Sequence, residues 1–223
     1  MEYSSERIAE MVKAVIASLG NEKCSDCTPC KENGVPIGVS NRHIHLSESD
    51  LYTLFGEGYS LTPIKELSQP GQYACKETLT IVGPSLRPIE NVRVLGPVRK
   101  ASQVEISKTD SYTLKLKPPV RESGKLDGSS PVTIIGPKGV VTLKEGCIIA
   151  NRHIHMHTSD AARYGVKDGD YIDVDALQGT RKTRWYGVQV RVRDDFALEM
   201  HVDTDDANAV GYKNGYTVTV VKN

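Results

Sequence analysis

The chain has 223 residues with 28 basic (Lys and Arg) and 28 acidic (Asp and Glu) side chains, so its formal net charge at pH 7 is zero. A neutral chain has no overall field that would attract nucleic acid or an anionic membrane. No apolar run approaches the roughly 20 residues that span a bilayer, and the N-terminus lacks the apolar core of a signal peptide. We therefore expect a cytoplasmic protein without nucleic-acid or membrane partners, long enough for one large domain or two small ones.

The first 19 residues carry apolar side chains at helical spacing. Between residues 4 and 19 they recur every three or four positions on one face, and Gly20 follows. This pattern predicts an amphipathic helix over residues 1–19. Residues 20–34 are polar and charged, which predicts a flexible linker. The helix must bury its apolar face, for which its own domain, a partner protein and an oligomer interface are all suitable.

The linker holds three of the five cysteines, Cys24, Cys27 and Cys30. An odd number of cysteines suits a reducing compartment better than a disulfide framework. Their C-x₂-C-x₂-C spacing could hold a metal or cluster, but no fourth ligand stands nearby in the sequence, so ordinary thiols are the simpler interpretation. Cys75 and Cys147 lie in apolar predicted strands, where we expect inert core thiols.

The pentapeptide Asn-Arg-His-Ile-His occurs at residues 41–45 and again, unchanged, at residues 151–155. Each copy follows a short apolar segment that predicts a strand. Each also precedes a short predicted helix, for which Ser47 is a good N-cap in the first copy and Thr158 in the second. Because the context is repeated along with the motif, we predict two halves of related architecture.

The two halves are predicted at residues 35–117 and 118–223, with an approximate boundary that leaves open an exchange of elements between them. Short predicted strands separated by turn signals fill most of both halves. They lie at residues 74–82, 91–95, 103–106, 112–116, 131–135, 140–143, 171–174, 186–192, 196–202 and 216–221. Many short strands at this spacing are typical of barrels and sandwiches. The predicted fold class is therefore mainly β, with two related small β-barrels, a few short helices and the N-terminal amphipathic helix.

The two histidines of each pentapeptide stand at positions i and i+2, which places both imidazoles on the same face of a strand. Two neutral imidazoles side by side are a ready pair of ligands for a first-row metal, above all zinc. One isolated pair is more often a surface feature, but two identical pairs in matching contexts favour metal sites. The sequence thus predicts metal ligands at His43, His45, His153 and His155.

Each predicted pair needs a further ligand to complete a metal site. His201 lies in a predicted strand and is the obvious third ligand for one site, while the other needs an acid, which Glu105 can supply from its own predicted strand. His157 continues the register of the second pair but lies at the start of a predicted helix. For His157 we expect a polar role beside the site rather than a role as ligand.

Several arginines stand in turn contexts near these motifs, and arginine suits planar, bidentate capture of phosphate. They are Arg99, Arg121, and Arg42 or Arg152 within the pentapeptides. For each alone a solvated surface position is the simpler interpretation, but together they favour an anion site in a metal-containing cleft. The chain lacks a Walker loop, a G-x-G-x-x-G that opens a helix and a G-x-S-x-G motif. These absences argue against a P-loop nucleotidase, a Rossmann dehydrogenase and an α/β-hydrolase.

Several of these stretches together resemble the phosphate propanoyltransferases (phosphotransacylases) of the PduL type. The matching motifs run in order at residues 39–47, 95–99 with 103–107, 119–124, 151–156 and 200–209. The resemblance covers the chain from about residue 35 to the C-terminus. It implies reversible acyl transfer between coenzyme A and inorganic phosphate, in a fold of two β-barrels with a two-zinc site between them.

The resemblance also implies roles for individual residues. His43, His45 and Glu105 match the ligands of one zinc, and His153, His155 and His201 match those of the other. Arg99 matches the phosphate-binding arginine, and Arg121 is a second expected substrate-binding residue. The expected reaction is direct attack of phosphate on the thioester carbonyl of propanoyl- or acetyl-coenzyme A, without an enzyme nucleophile. His157 departs from the family pattern, which expects a small polar residue there.

Family members that work inside bacterial microcompartments carry an N-terminal amphipathic helix and linker for encapsulation, and residues 1–34 look similar. The expected partners are therefore microcompartment shell or cargo proteins and further copies of this chain, with the lumen of a microcompartment as an expected location. Two other functions use the same residues: a zinc-dependent hydrolase of acyl-coenzyme A thioesters, and a non-catalytic metal-binding protein associated with a shell. Phosphate dependence separates the acyltransferase from the hydrolase.

Overall fold

The structure is a computed structural model that describes residues 34–221. The predicted N-terminal helix, residues 20–33 of its linker and the three linker cysteines lie outside the described residues, while Gly34, predicted as the last linker residue, begins a strand. None of the helices between residues 34 and 221 is both long and apolar enough to cross a membrane.

The described part of the chain forms fourteen strands and four short helices. The strands are β1 (Gly34–Ser40), β2 (His43–His45), β3 (Pro63–Glu66), β4 (Tyr73–Val82), β5 (Pro88–Gly96), β6 (Gln103–Glu105), β7 (Val120–Arg121), β8 (Ser130–Ile135), β9 (Val140–Ala150), β10 (His153–Met156), β11 (Tyr171–Ala176), β12 (Thr183–Val192), β13 (Glu199–Asp203) and β14 (Thr217–Val221). The helices are α1 (Glu48–Phe55), α2 (Lys108–Leu114), α3 (Thr158–Tyr164) and α4 (Thr204–Val210).

The strands form two six-stranded barrels, which confirms the predicted mainly-β fold class. The first barrel runs β4–β5–β2–β6–β9–β8, and β8 closes it by pairing with β4; β3 and β7 pair at its margins. The second barrel closes in the order β11–β12–β10–β13–β1–β14. The two orders are equivalent strand by strand. In both, the His-Ile-His strand has a parallel neighbour on one side and an antiparallel neighbour on the other.

The barrels exchange the strand that precedes each pentapeptide. β1 leads into the first pentapeptide but lies in the second barrel, parallel to β13. β9 leads into the second pentapeptide but lies in the first barrel, parallel to β6. Strands from both sides of residue 117 therefore contribute to each barrel, and the chain crosses between barrels at Asn41 and again at Asn151.

Each barrel is filled by its own apolar core. Ile44 at the centre of β2 and Ile154 at the centre of β10 are fully buried, one in each core. The alternation of buried and exposed residues along β4 and β8 is the pattern of strands with one face on a core. The two histidines that flank each isoleucine therefore point to the other face, which lies outside the barrel core.

The helices differ from the sequence prediction at three places. Residues 112–116 were expected to be a strand, but α2 covers most of them. The cause is a capping box, in which the Ser107 hydroxyl accepts the amide N–H of Asp110 while the Asp110 carboxylate accepts the amide N–H of Ser107. His157, not Thr158, is the N-cap of α3. Helix α4, which Asp203 caps, was not predicted.

Candidate active site

The first candidate metal triad is built by two antiparallel strands of the first barrel. His43 and His45 lie on β2, and Glu105 lies on β6 directly opposite His43. All three are at least nine-tenths buried, and their potential ligand atoms lie within 4.8 Å of one another. His43 Nδ1 lies 2.8 Å from the backbone oxygen of Asn41, and His43 Nε2 lies 3.4 Å from Oε2 of Glu105. The hydrogen bond to Asn41 thus orients the ring with Nε2 towards the carboxylate.

The second triad repeats this arrangement in the second barrel. His153 and His155 lie on β10, and His201 lies on β13 directly opposite His153. Their potential ligand atoms also lie within 4.8 Å of one another. His153 Nδ1 lies 2.7 Å from the backbone oxygen of Asn151, as His43 does from Asn41. Both third ligands proposed from the sequence, Glu105 and His201, are therefore at equivalent places in the two barrels.

The electrostatics of the first triad favour the ionised form of Glu105 beside the two imidazoles. Burial alone would raise the pKa of Glu105, but the charge and hydrogen bond of His43 hold that pKa far below its usual value. Burial alone would lower the pKa of His43, but Glu105 raises it above its ordinary value. Burial and the neighbouring His43 lower the pKa of His45 well below its ordinary value. An anionic ligand and a neutral imidazole are therefore already in place.

The second triad is a cluster of imidazoles without a counter-charge among its three members. Burial, together with His201, lowers the pKa of His153 to about 4. Burial, together with His153 and His201, lowers the pKa of His155 to about 2. Both side chains are therefore neutral near pH 7, which is the form that binds a metal.

A metal ion fits both triads because each contains a buried nitrogen without a hydrogen-bond partner. Among the described residues, Nδ1 of His45 and Nδ1 of His155 are the buried side-chain atoms that lack such a partner. An unpaired buried nitrogen costs free energy unless something satisfies it. The two orphan atoms occupy equivalent positions in the two triads, and a first-row cation bound by imidazole nitrogens would satisfy both.

Both triads face one cleft of about 440 Å³ between the barrels. Its lining includes His43 and Glu105 from the first triad and all three histidines of the second. Such a volume is in the usual range for small-molecule sites. The cleft therefore brings two candidate metal sites against one potential substrate cavity.

Arg99 lines this cleft beside the first triad. Its backbone N–H donates to Leu46 and its guanidinium donates to the Ser123 hydroxyl over 3.2 Å. Burial lowers the pKa of Arg99; Glu105 opposes this effect and Arg191 adds to it. A half-buried guanidinium with a second one, Arg191, lining the same cleft is a place where an anion would be stabilised.

Of the other arginines named from the sequence, Arg42 also lines the cleft. Arg121 is exposed on β7 and is not among the described residues that line the cleft. Arg42 forms a two-bond ion pair with Asp110 at 2.8 and 2.9 Å, and Arg152 pairs with Asp206 at 3.6 Å. Both pentapeptide arginines thus hold the helix that follows the third-ligand strand of a barrel.

His157 and the two described cysteines take structural positions. His157 Nδ1 accepts the N–H of Ser159 at the start of α3, and His157 belongs to neither triad. Burial raises the pKa of the Cys75 thiol to about 11 and that of Cys147 to about 12. These thiols are buried and protonated, as expected from their apolar strands.

Several cleft residues were missed from the sequence. Arg191 and Arg193 lie on and just after β12, beside β10, and Phe196 packs on His155 with ring centroids 4.3 Å apart. The alternation Gln189, Arg191, Arg193 was a detectable signal, because it puts three polar side chains on one face of the strand. Ser123, which donates to Glu105 over 2.9 Å, was not singled out, although it lies in the matched motif at residues 119–124.

Two closed barrels that turn equivalent triads towards one cleft define a double-barrel protein with a paired candidate metal centre. The family model for phosphate propanoyltransferase matches residues 36–213. The chain is 60% identical over 192 residues to a phosphate propanoyltransferase of Thermotoga maritima, covering 86% of this chain and 91% of that protein. It is 51% identical over 212 residues to one of Lachnoclostridium phytofermentans, with 95% and 97% covered. A phosphate propanoyltransferase of Rhodopseudomonas palustris matches over both full lengths at 44% identity.

The chain belongs to the phosphate propanoyltransferase family and is an acyltransferase. This membership confirms the resemblance and the enzyme class that the motifs predicted.

Proposed function

We propose that the cleft catalyses reversible acyl transfer between coenzyme A and inorganic phosphate, with propanoyl- or acetyl-coenzyme A as the acyl donor. The observation that supports this most directly is that residues of both triads, together with Arg99, line one cleft. A site for two cations and an anion side by side suits a reaction between a thioester and phosphate.

Two zinc ions are the proposed cofactors of this site. His43, His45 and Glu105 would hold one, and His153, His155 and His201 the other; imidazole and carboxylate are zinc ligands in catalytic sites. When bound, zinc supplies Lewis acidity for a carbonyl or phosphoryl oxygen and stabilises a thiolate leaving group. The chain itself contributes the neutral imidazoles of His45, His153 and His155 and an ionised carboxylate at Glu105.

Arg99 is the proposed binding residue for phosphate. Its guanidinium lies in the cleft with the Ser123 hydroxyl as a hydrogen-bond partner, and Arg191 lines the same cleft. Arg191 has a carboxylate neighbour, Glu122, at 3.5 Å. A phosphate dianion between the two guanidinium groups would relieve their mutual repulsion. Arg121 is proposed only as an outer contact for coenzyme A, because it is exposed.

Phosphate is the proposed nucleophile. One phosphate oxygen forms a bond to the thioester carbonyl carbon, the carbon–sulfur bond breaks, and the sulfur leaves with the electron pair as the coenzyme A thiolate. The buried and protonated thiols of Cys75 and Cys147 are unsuited to form an acyl-enzyme. A trapped acyl-enzyme or ping-pong kinetics would contradict direct attack.

The test is an assay of coenzyme A release from propanoyl- and acetyl-coenzyme A with and without phosphate, combined with metal analysis. We expect release only with phosphate, an equal amount of acyl phosphate trapped as hydroxamate, and two zinc ions per chain. His43→Ala and His153→Ala should each lose activity and one zinc. Equal release without phosphate would instead identify a thioester hydrolase.

Residues 1–33 are proposed to recruit the enzyme to a microcompartment shell or cargo protein, or to join copies of this chain. Their amphipathic sequence pattern supports this, and the family match begins only at residue 36.

A further inference from the structure

Each triad has one more polar residue at an equivalent position, two residues before its third ligand. In the first barrel this is Gln103, which lies opposite His45 in the pairing of β2 with β6. In the second barrel it is Glu199, which lies opposite His155 in the pairing of β10 with β13. The alternation of a strand puts each of these residues on the same face as the ligand that follows it.

Gln103 holds Glu105 by donating to one of its two oxygens. Its Nε2 lies 2.5 Å from Oε1 of Glu105, whereas Oε2 is the oxygen that faces His43. The orientation of the amide is fixed, because the backbone N–H of Gly124 donates to Oε1 of Gln103 over 2.8 Å. Gln103 is almost completely buried. It therefore has one arrangement in which all these contacts are made.

Glu199 holds His201 by accepting from it. The Oε2 atom of Glu199 lies 2.6 Å from Nε2 of His201 and also accepts the hydroxyl of Ser68. An imidazole that donates from one nitrogen keeps the lone pair of the other nitrogen for a metal. Gly38 on β1 leaves the room for this carboxylate, because a Cβ there would lie 2.8 Å from Cδ of Glu199.

We propose that Gln103 and Glu199 are equivalent positioning residues, each of which orients the third metal ligand of its triad and is matched to it in polarity. A carboxylate ligand needs a donor, and it has the amide of Gln103. An imidazole ligand needs an acceptor, and it has the carboxylate of Glu199. Each site thereby contains one carboxylate. In the first site it is the candidate ligand Glu105, and in the second it is Glu199, which acts through the imidazole of His201.

This inference rests on the proposed zinc sites, and zinc affinity tests it without an activity assay. The full-length protein is titrated with zinc in competition with a chromophoric chelator. His45→Ala and His155→Ala, each of which removes one ligand, identify which binding step belongs to which triad. Cobalt(II) loading gives a second signal, since its d–d absorption reports on ligand geometry at each site.

Three variants perturb the two positioning residues separately. Glu199→Gln removes the charge with little change in shape and should weaken zinc binding at the second triad by roughly 10–100-fold. Gly38→Ala keeps Glu199 but displaces its carboxylate, so it should weaken the same step. Gln103→Leu should weaken only the first step. Glu90→Gln, the same chemical change at an exposed position on β5, is the matched control and should change neither.

The proposal is supported if Glu199→Gln weakens zinc binding and alters the cobalt spectrum only at the second triad, and Gln103→Leu does so only at the first. If the wild-type protein binds two zinc ions and these variants hold both as tightly, the positioning roles are overturned while the metal sites stand. Equal weakening of both sites by either variant also overturns the proposal, since it indicates a general effect on the fold. A wild-type protein that binds no zinc would refute the proposed metal sites and this inference with them.

Discussion

The metal-free protein should lose stability on acidification because of the second triad. Burial and their imidazole neighbours lower the pKa of His153 to about 4 and that of His155 to about 2, while both would titrate near 6.5 in the unfolded chain. Between pH 6.5 and pH 5 the unfolded chain therefore binds protons that the folded chain does not. Since one pKa unit corresponds to about 1.4 kcal/mol, each of these histidines should cost about 2 kcal/mol of unfolding free energy between pH 7 and pH 5.

The assay is urea unfolding of the chelator-treated protein at pH 7 and pH 5. The single tryptophan, Trp185, is buried in the core of the second barrel, so its fluorescence reports on the barrel that carries this triad. His155→Asn removes one of the two titrating groups. The difference in unfolding free energy between pH 7 and pH 5 should therefore shrink by about 2 kcal/mol in this variant, whatever the variant does to stability at pH 7.

His43 provides a control of opposite sign. Glu105 raises the pKa of His43 above its ordinary value against the effect of burial, so its contribution to stability is present at acid pH and is lost as the pH rises. His43→Asn should therefore enlarge the loss of stability on acidification. If His155→Asn shows the same pH dependence as the wild-type protein, the reasoning from burial is refuted.

Three further predictions concern phosphate binding, helix capping and the N-terminal segment. Arg99→Lys should raise the KM for phosphate roughly 10–100-fold in steady-state kinetics, because lysine cannot bind an oxyanion through two parallel bonds, whereas Arg121→Lys at its exposed position should leave that KM unchanged. His157→Ala removes the N-cap of α3 and should lower the free energy of unfolding in urea by about 1 kcal/mol. Metal analysis of this variant should still give two zinc ions per chain. Loss of one zinc would instead identify His157 as a ligand. Deletion of residues 1–33 should leave kcat and KM unchanged but abolish co-purification with shell proteins or lower the size measured by gel filtration; an unchanged partner and size profile would contradict the recruitment role.

Much of the candidate site could be predicted from the sequence because its candidate ligands obey the two-residue repeat of a strand. His43 and His45 share a face for that reason, as do His153 and His155. The candidate third ligands, His201 and Glu105, were proposed as a histidine and an acid on predicted strands. The repeat also predicted two barrels of related architecture, which the structure confirms.

Other features depend on information that a local pattern does not carry. Residues 112–116 contain Tyr and Thr, which favour strands, but the capping box of Ser107 and Asp110 starts a helix before them. The apolar pattern of β1 and β9 fits either barrel, so their exchange is decided by packing alone. Gln103 was overlooked because an amide carries no charge, and its role follows only from contacts with Glu105 and a distant loop.

The exchange of β1 and β9 explains why the pentapeptide is repeated without change. Each copy begins where the chain crosses from one barrel to the other. The backbone oxygen of its asparagine orients the first histidine, its arginine binds the helix that follows the third-ligand strand, and its isoleucine fills the new barrel core. The second histidine completes the candidate metal pair, so each of the five positions has a role that both copies share. The proposed third ligand lies on another strand outside this local unit. It can therefore be Glu105 in one barrel and His201 in the other, and the residue that contacts it, Gln103 or Glu199, differs in the complementary way.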